Sequence, residues 1–353
     1  MLVDRELSRT VFIGALLTLA ALSGVGFFLT FLSQVHNVGT GQYTTASAFL
    51  YAALTLPETA YDMFPVATLI GAAFALGGLA ANQELMILRV SGADVWRLAR
   101  ALVWAGLALA VLVVVLGEFI APPAKRIAET QRAESLYSGI GAAGPGGVWL
   151  KSGQNVVHVL RVDSPTRLAG LLIYTLGKHG GIAALRKAES ASFANGRWTL
   201  HNVRGTRFEG DKTERIETQQ SDLSGFVLPA TFRVLVVPPG NLSWRGLASY
   251  LAYLRANGLA TARYETAFWH KIAVPVSVLL MVLLALPFAL GRMRTTGAGQ
   301  RLAIGVVIAL IYYLIDRTVL EAGAAFHLPP LLAAWLPTAI LAVVVVYVLQ
   351  RAR

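Results

Sequence analysis

LAANQELMILRVSGADVWRLAR, residues 79–100, joins two long apolar segments, Phe49–Ala81 and Ala101–Ala121. A few polar residues would suffice for such a connection. This one carries an acid, Glu84, then large apolar side chains from Leu85 through Met86 to Leu88, then Arg89, Ser91 and Gly92. The pattern predicts a short helix at about 82–92, lying at a membrane surface. Gly92 stops it, because glycine tolerates the left-handed conformation that ends helices. Apolar side chains held just outside a bilayer need something to pack against, either a protein partner or the headgroup layer. A partner makes the chain part of a driven machine; the headgroup layer makes it an anchored domain.

The two flanking segments belong to a set of six. The chain has 353 residues, 56% hydrophobic and 14% charged, which is the composition of a membrane protein. Val11–Ser33, Phe49–Ala81, Ala101–Ala121, Thr266–Leu290, Leu302–Leu320 and Pro330–Leu349 are each long enough to span. At ~1.5 Å per residue, ~20 residues cross a ~30 Å hydrocarbon core. The second segment exceeds that and contains Pro57 and Pro65, so a kink near Pro65 or a start after Pro57 is expected. The first is too long for a signal-peptide core of about 7–15 residues and reads as a retained helix.

Orientation follows from Lys and Arg in the short loops. Arg5 and Arg9 precede the first span. Arg89, Arg97 and Arg100 lie between the second and third, Arg292, Arg294 and Arg301 between the fourth and fifth, and Arg351 and Arg353 at the end. The Gln34–Ala48 loop has no Lys or Arg. Both termini are therefore expected in the cytoplasm, and the long insert after the third span outside it.

That insert, residues 122–262, has a different character. Short alternating runs, Arg197–Val203 and Arg204–Glu209 among them, are broken by turn signals, with hairpin turns expected at Ser152–Gly153, Asn195–Gly196 and Glu209–Gly210–Asp211. Arg197–His201 alternates with period two, as a strand with one buried face does. Seven to nine strands are expected, in a sandwich or open barrel. Trp244–Ala256 has helical spacing and ends at Asn257–Gly258. The fold class is thus an α+β membrane protein: spans one to three over 1–121, an all-β domain with its connecting helix over 122–262, and spans four to six over 263–353. The insert holds 17 Lys and Arg against 9 Asp and Glu, spread rather than clustered. That reads as a solvated surface or as attraction to anionic lipid, with no nucleic-acid partner implied. With no cysteine, packing alone must hold the exported domain.

Catalytic signals are lacking. There is no HExxH, no GxSxG and no His/Cys metal spacing, so neither a catalytic residue nor a cofactor is expected. His158, His179 and His201 read as strand-face histidines. Thr175–His179 echoes a phosphate loop but lacks its earlier glycine spacing and its following Ser or Thr. ATP, if used, is hydrolysed by another chain. Glu58, Asp62, Glu118, Asp316, Arg317 and Glu321 lie near span ends, where local pairing suffices. Asp316 with Arg317 is the best candidate for a polar cavity lining. Phe27, Phe28 and Phe31 on the first span, with Tyr312 and Tyr313 on the fifth, suit either lipid-facing positions or the wall of an apolar-ligand cavity. Span two is rich in small residues, among them Gly71, which let membrane helices approach closely.

The order of three spans, exported β domain and three spans resembles the LptF/LptG permease family of lipopolysaccharide export. The resemblance covers nearly the whole chain. It is most specific in LPETAYDMFPVATLIGAAFALGGLAANQELMILRVSG at Leu56–Gly92, in Leu247–Gly291, and in LPPLLAAWLP at Leu328–Pro337. The Asp4–Arg5 start, TAFWHK at Thr266–Lys271 and the LPPLLAAWLP segment look more like the second of the family's two branches than the first.

The resemblance implies an ABC exporter. An LptF-like permease and two LptB-like ATPases would be partners, with LptC and then LptA receiving lipopolysaccharide through periplasmic β-jellyroll domains. Glu84, Leu85, Met86, Leu88, Arg89, Ser91 and Gly92 would form the ATPase-coupling helix. Phe27, Phe28, Phe31, Tyr312, Tyr313, Asp316 and Arg317 would line the lipid cavity, and Val157, Val159, Ile173, Trp198 and Leu200 would continue it through the β domain. One departure stands out. Family members often carry lysines at the outer end of the first helix, whereas Thr30–Gly41 here has His36 as its one potentially basic side chain. Phosphate recognition then falls to the partner permease, or the lipid carries a different charge. Two other classes stay open: a membrane-anchored periplasmic sensor or assembly factor, and a proton-driven transporter.

Overall fold

The computed structural model describes all residues except 1, 84–94, 137–146, 165, 178–180, 195, 210–211, 224–241, 291–297, 326–327 and 352–353. Among the described residues, six helices are long and apolar enough to cross a membrane. α1 (Leu2–Val35) and α2 (Thr45–Ala81) are followed by α3 (Val95–Val115). A π-helical turn, Leu116–Ile120, carries α3 directly into α4 (Ala121–Leu136). Six strands and α5 (Trp244–Ala256) come next. α6 (Ala262–Leu290), α7 (Ala298–Ala325) and α8 (Pro330–Arg351) complete the chain. The chain divides into two compact units. One holds Met1–Ser33, Ala52–Lys125 and Ala262–Arg353; the other holds Gln34–Tyr51 and Arg126–Thr261.

The helical unit has a core of small and branched side chains, including Phe64, Leu69, Leu76, Leu102, Leu109 and Val278. Gly14 of α1 faces Gly71 of α2 so closely that a Cβ on either would strike the other's carbonyl oxygen. This is the close approach expected of the small residues in span two. α2 passes through both Pro57 and Pro65 and begins at Thr45, not after Pro57. Its first turn is closed by Thr44, whose Oγ1 accepts from Ser47 N while Thr44 N donates to Ser47 Oγ. At the other end Gln83 takes a left-handed φ of 63°, and its N–H donates to Ala80 O. The third span also outruns its expected end at Ala121. Pro122 and Pro123 directly follow the π-helical turn, and the helix continues through them to Leu136.

In the other unit, β1 (Val148–Ser152), β2 (Asn155–Ser164), β3 (Arg167–Leu176), β4 (Ile182–Ala194), β5 (Arg197–Glu209) and β6 (Lys212–Leu223) form an antiparallel meander in sequence order. The β domain thus lies where the sequence places it, between the third and fourth spans. Its described residues hold six strands rather than seven to nine, because Arg197–Val203 and Arg204–Glu209 join into one. Leu160, Gly170, Glu189, Asn202 and Gln219 share one rank across five strands, and all five drop out of the pairing register. Gly170 and Asn202 have φ of +64° and +53° there. Buried positions change phase across this line, from Val157 and Val159 to Val162 on β2, and from Trp198 and Leu200 to Val203 on β5. A sheet bent at one rank does this.

α5 packs by Leu247, Leu251 and Leu254, with Ser243 as its N-cap. Tyr253 Oη donates to Lys151 O at 2.8 Å and so ties α5 to β1. Burial raises the Tyr253 phenol above its ordinary pKa.

Candidate functional site

The expected coupling residues Glu84, Leu85, Met86, Leu88, Arg89, Ser91 and Gly92 lie outside the described residues. What is described is their setting: α2 closes at Ala81–Gln83, and α3 resumes at Val95.

Polar side chains on the spans pair across helices. Lys271 on α6 donates to Glu118 Oε1 at 3.0 Å and to the Gly117 carbonyl at 2.9 Å. Both acceptors belong to the π-helical turn, where the i→i−4 ladder is interrupted and carbonyls become available. Gly117 also admits the Tyr61 ring, which a Cβ there would strike. The Lys271 ammonium lies 5.5 Å from that ring's centroid, within cation–π range. Next to Lys271, His270 Nε2 meets Asp316 Oδ2 of α7 at 3.1 Å. Arg317 pairs with Asp62 of α2 and lies over the Tyr313 ring at 5.6 Å. Lys125 of α4 meets Glu58 of α2 at 2.9 Å. Asp316 and Arg317 are therefore each engaged with a neighbouring helix. His270 and Lys271 carried a signal that sequence reasoning passed over: two adjacent basic-capable residues inside an apolar helix need partners.

The aromatic positions divide. Phe27 and Phe31 lie one turn apart on a half-buried face of α1, whereas Phe28 points away and is 60% exposed. Tyr312 packs against the helical core, its hydroxyl meeting Ser277 and Thr338. In the sheet, Val157, Val159, Ile173, Trp198 and Leu200 share one buried core with Leu150, Leu168, Leu171 and Val203. Val157 stands opposite Ile173, and Trp198 packs on Phe193 with ring centroids 5.3 Å apart. On the other face His158 stacks on Trp149 at 4.3 Å, and His201 Nε2 meets Ser192 Oγ at 2.9 Å. His179 lies outside the described residues.

The connection between α1 and α2 has no Lys or Arg of its own, but α4 supplies one. The Arg132 guanidinium lies 5.4 Å from the Tyr51 ring centroid, and its Nε is buried with no hydrogen-bond partner among the described residues. It borders a cavity of about 250 Å³ lined also by Tyr43, Ser47, Gln131 and Ser135. Burial raises the Tyr43 phenol above its ordinary pKa, which Arg132 partly offsets.

Six spanning helices held by ion pairs, with an antiparallel sheet inserted after the third, define a multi-pass membrane protein that carries a β domain. Residues 5–351 match the family described as lipopolysaccharide export system permease LptF/LptG. The chain is 30% identical over 352 residues to the lipopolysaccharide export system permease protein LptG of Haemophilus influenzae, covering 99% of this chain and 98% of that protein. It is also 30% identical over 355 residues to LptG of Escherichia coli K12, with the same coverage. The chain belongs to the LptF/LptG family of lipopolysaccharide export permeases.

Proposed function

We propose that this chain is a permease subunit of an ATP-driven exporter in the inner membrane. It would take lipopolysaccharide from the outer leaflet and pass it to a periplasmic bridge. A second, LptF-like permease and two LptB-like ATPases complete the transporter, and LptC and LptA receive the lipid. Both termini lie in the cytoplasm and the β domain in the periplasm. The observation that carries this reading is the family match over residues 5–351, which takes in the 79–100 stretch, all six spans and the sheet.

The ion pairs suit force transmission. α2 leads straight into the coupling segment, and Asp62 and Glu58 tie it to α7 and α4. A push on Glu84–Leu88 from a closing ATPase would move α2 and its paired helices together. Phe27 and Phe31, with the exposed apolar faces of α1 and α7, offer surface for acyl chains at ~25 cal/mol per Å² buried. In the β domain the route would pass Val157, Val159, Ile173, Trp198 and Leu200. At the α1–α2 connection Arg132 offers the cation that Thr30–Gly41 lacks.

The test is co-purification with a cytoplasmic ATPase, followed by ATP-driven lipopolysaccharide transfer from proteoliposomes. The variant Glu84→Arg with Leu88→Asp should insert normally but lose ATPase association and transfer. Wild-type transfer in that variant would refute the coupling assignment. A photo-crosslinker at Phe31 and another at Trp198 should give ATP-dependent lipopolysaccharide adducts. Adducts with bulk phospholipid alone at Phe31, and none at Trp198, would send the lipid by another path.

A further inference from the structure

The inner face of the sheet changes chemistry along its strands. Beyond the apolar core, the same face continues through Thr175 on β3, Ala184 and Arg186 on β4, Gly205 and Arg207 on β5, and Ile216 and Thr218 on β6. All of these but Gly205 line a groove of about 530 Å³. Arg186 stands directly opposite Gly205, and Arg207 directly opposite Ala184. The two guanidinium groups thus share a groove floored by the smallest side chains. A Cβ at Gly205 would strike the Leu185 carbonyl and crowd the Arg186 side chain.

Among the described residues the sheet satisfies this pair of cations only in part. Arg186 Nε is buried with no hydrogen-bond partner among the described residues, and Nη2 makes only a 3.4 Å contact with Thr175 Oγ1. Burial, and then the neighbouring charge of Arg207, lower the pKa of Arg186. Arg207 meets Glu214 Oε2 at 3.3 Å, an exposed pair that exchanges readily with solvent. Two like charges brought together over Ala184, one with a buried orphan N–H, form an arrangement that an anion would stabilise. Guanidinium forks match phosphate oxygens in geometry as well as charge. Ile216 and Val203 beside them favour a phosphate carried on a body with apolar surface.

We propose that Arg186 and Arg207 form a phosphate-binding subsite on the inner face of the sheet, with Thr218 as a hydroxyl donor. The ligand is a phosphomonoester, free or borne on a lipid headgroup. The lipid-borne form rests on the export reading; the phosphate chemistry does not.

The experiment is thermophoretic titration of the full-length protein in nanodiscs with three probes. These are an acylated diglucosamine bisphosphate, its dephosphorylated counterpart, and inorganic phosphate. Arg186→Gln with Arg207→Gln should weaken the bisphosphate at least tenfold and leave the dephosphorylated lipid unchanged. Arg186→Lys should lose less, and Glu214→Gln should tighten binding by freeing Arg207. Equal losses for inorganic phosphate, with no preference for the lipid, would support the site and identify its source as free phosphate. Wild-type binding of the bisphosphate and of phosphate by the double variant would overturn the proposal. If that variant does not fold, Glu214→Gln decides: tighter phosphate binding supports the subsite, and unchanged binding overturns it. Glu84→Arg should leave all three titrations unchanged, so failure of the coupling assignment and failure of the subsite are distinguishable.

Discussion

The helical unit and the sheet unit arrange charge in opposite ways. Among the helices, Lys271, Glu118, His270 and Asp316 turn inward and pair, while Leu17, Val25, Val307 and Val343 face out. In the sheet, Trp198, Leu200 and Ile173 fill the inside, and the pair Arg204–Glu217 lies in solvent on the opposite face. The contrast follows from the medium each unit must satisfy. A helix facing hydrocarbon cannot solvate a charge outward, so it pairs it inward. A strand facing water has no such need. The same two residue types therefore carry different weight: a partly buried pair fixes helices, while an exposed pair contributes little.

The largest test of this contrast is Lys271→Met. Its side chain is 11% exposed and that of its partner Glu118 is 21% exposed, so removing the cation strands a shielded carboxylate. The expected cost is about 3–5 kcal/mol, read by denaturant unfolding in detergent. Lys271→Met with Glu118→Leu should recover most of it. If the single variant costs no more than loss of an exposed sheet pair, the helical charges are not structural and the contrast fails. Next comes Gly71→Val. The added atoms would press on Gly14 and Ala15 of α1, with no flexible side chain to yield. The expected loss is about 1–3 kcal/mol, with α1 becoming accessible to protease. An unchanged digestion pattern would show that α1 is not held by this contact.

Tyr253→Phe probes the inside of the sheet unit. It removes the 2.8 Å bond to Lys151 O, and a loss of about 1 kcal/mol is expected. The effect should depend on pH. The folded state holds this phenol neutral, with its pKa raised by burial. Its contribution is fully present below the unfolded value of about 10 and is lost as pH rises through the higher folded value. Wild-type protein should therefore lose stability in alkali more steeply than the Phe variant. Parallel alkaline curves would mean that the hydroxyl is satisfied equally well by water.

Much of this contrast was legible in the sequence, unevenly. The six spans and the inserted strands show because apolar length and period-two alternation are local patterns. Gly71 was legible for the same reason, as one of a run of small residues. The continuation to Leu136 was not, because Pro122–Pro123 reads as a stop, whereas the helix runs through it. In the sequence β5 reads as two runs meeting at Val203, because its alternation changes phase there. The cause is the bend rank through Asn202, which arises from neighbouring strands. The pairs Lys271–Glu118 and Arg317–Asp62 join residues 153 and 255 positions apart. Local reading could say that these charges needed partners, but not which. Arg186 and Arg207 likewise become neighbours only through strand register.

The smallest expected effect is also the sharpest control. Arg204 and Glu217 stand opposite each other on β5 and β6 with Nε and Oε1 3.2 Å apart, closely matching the 3.0 Å of Lys271–Glu118. Distance alone would rank them equal. Their side chains are 76% and 56% exposed, however, so water screens the pair and solvates whichever partner remains. Arg204→Ala should therefore cost under about 1 kcal/mol, and added salt should erase the difference. The measurement is the same unfolding experiment in low and high salt, run beside Lys271→Met. A salt-insensitive loss at Arg204 as large as that at Lys271 would mean that β6 is shielded in the assembled protein, by a partner covering that edge.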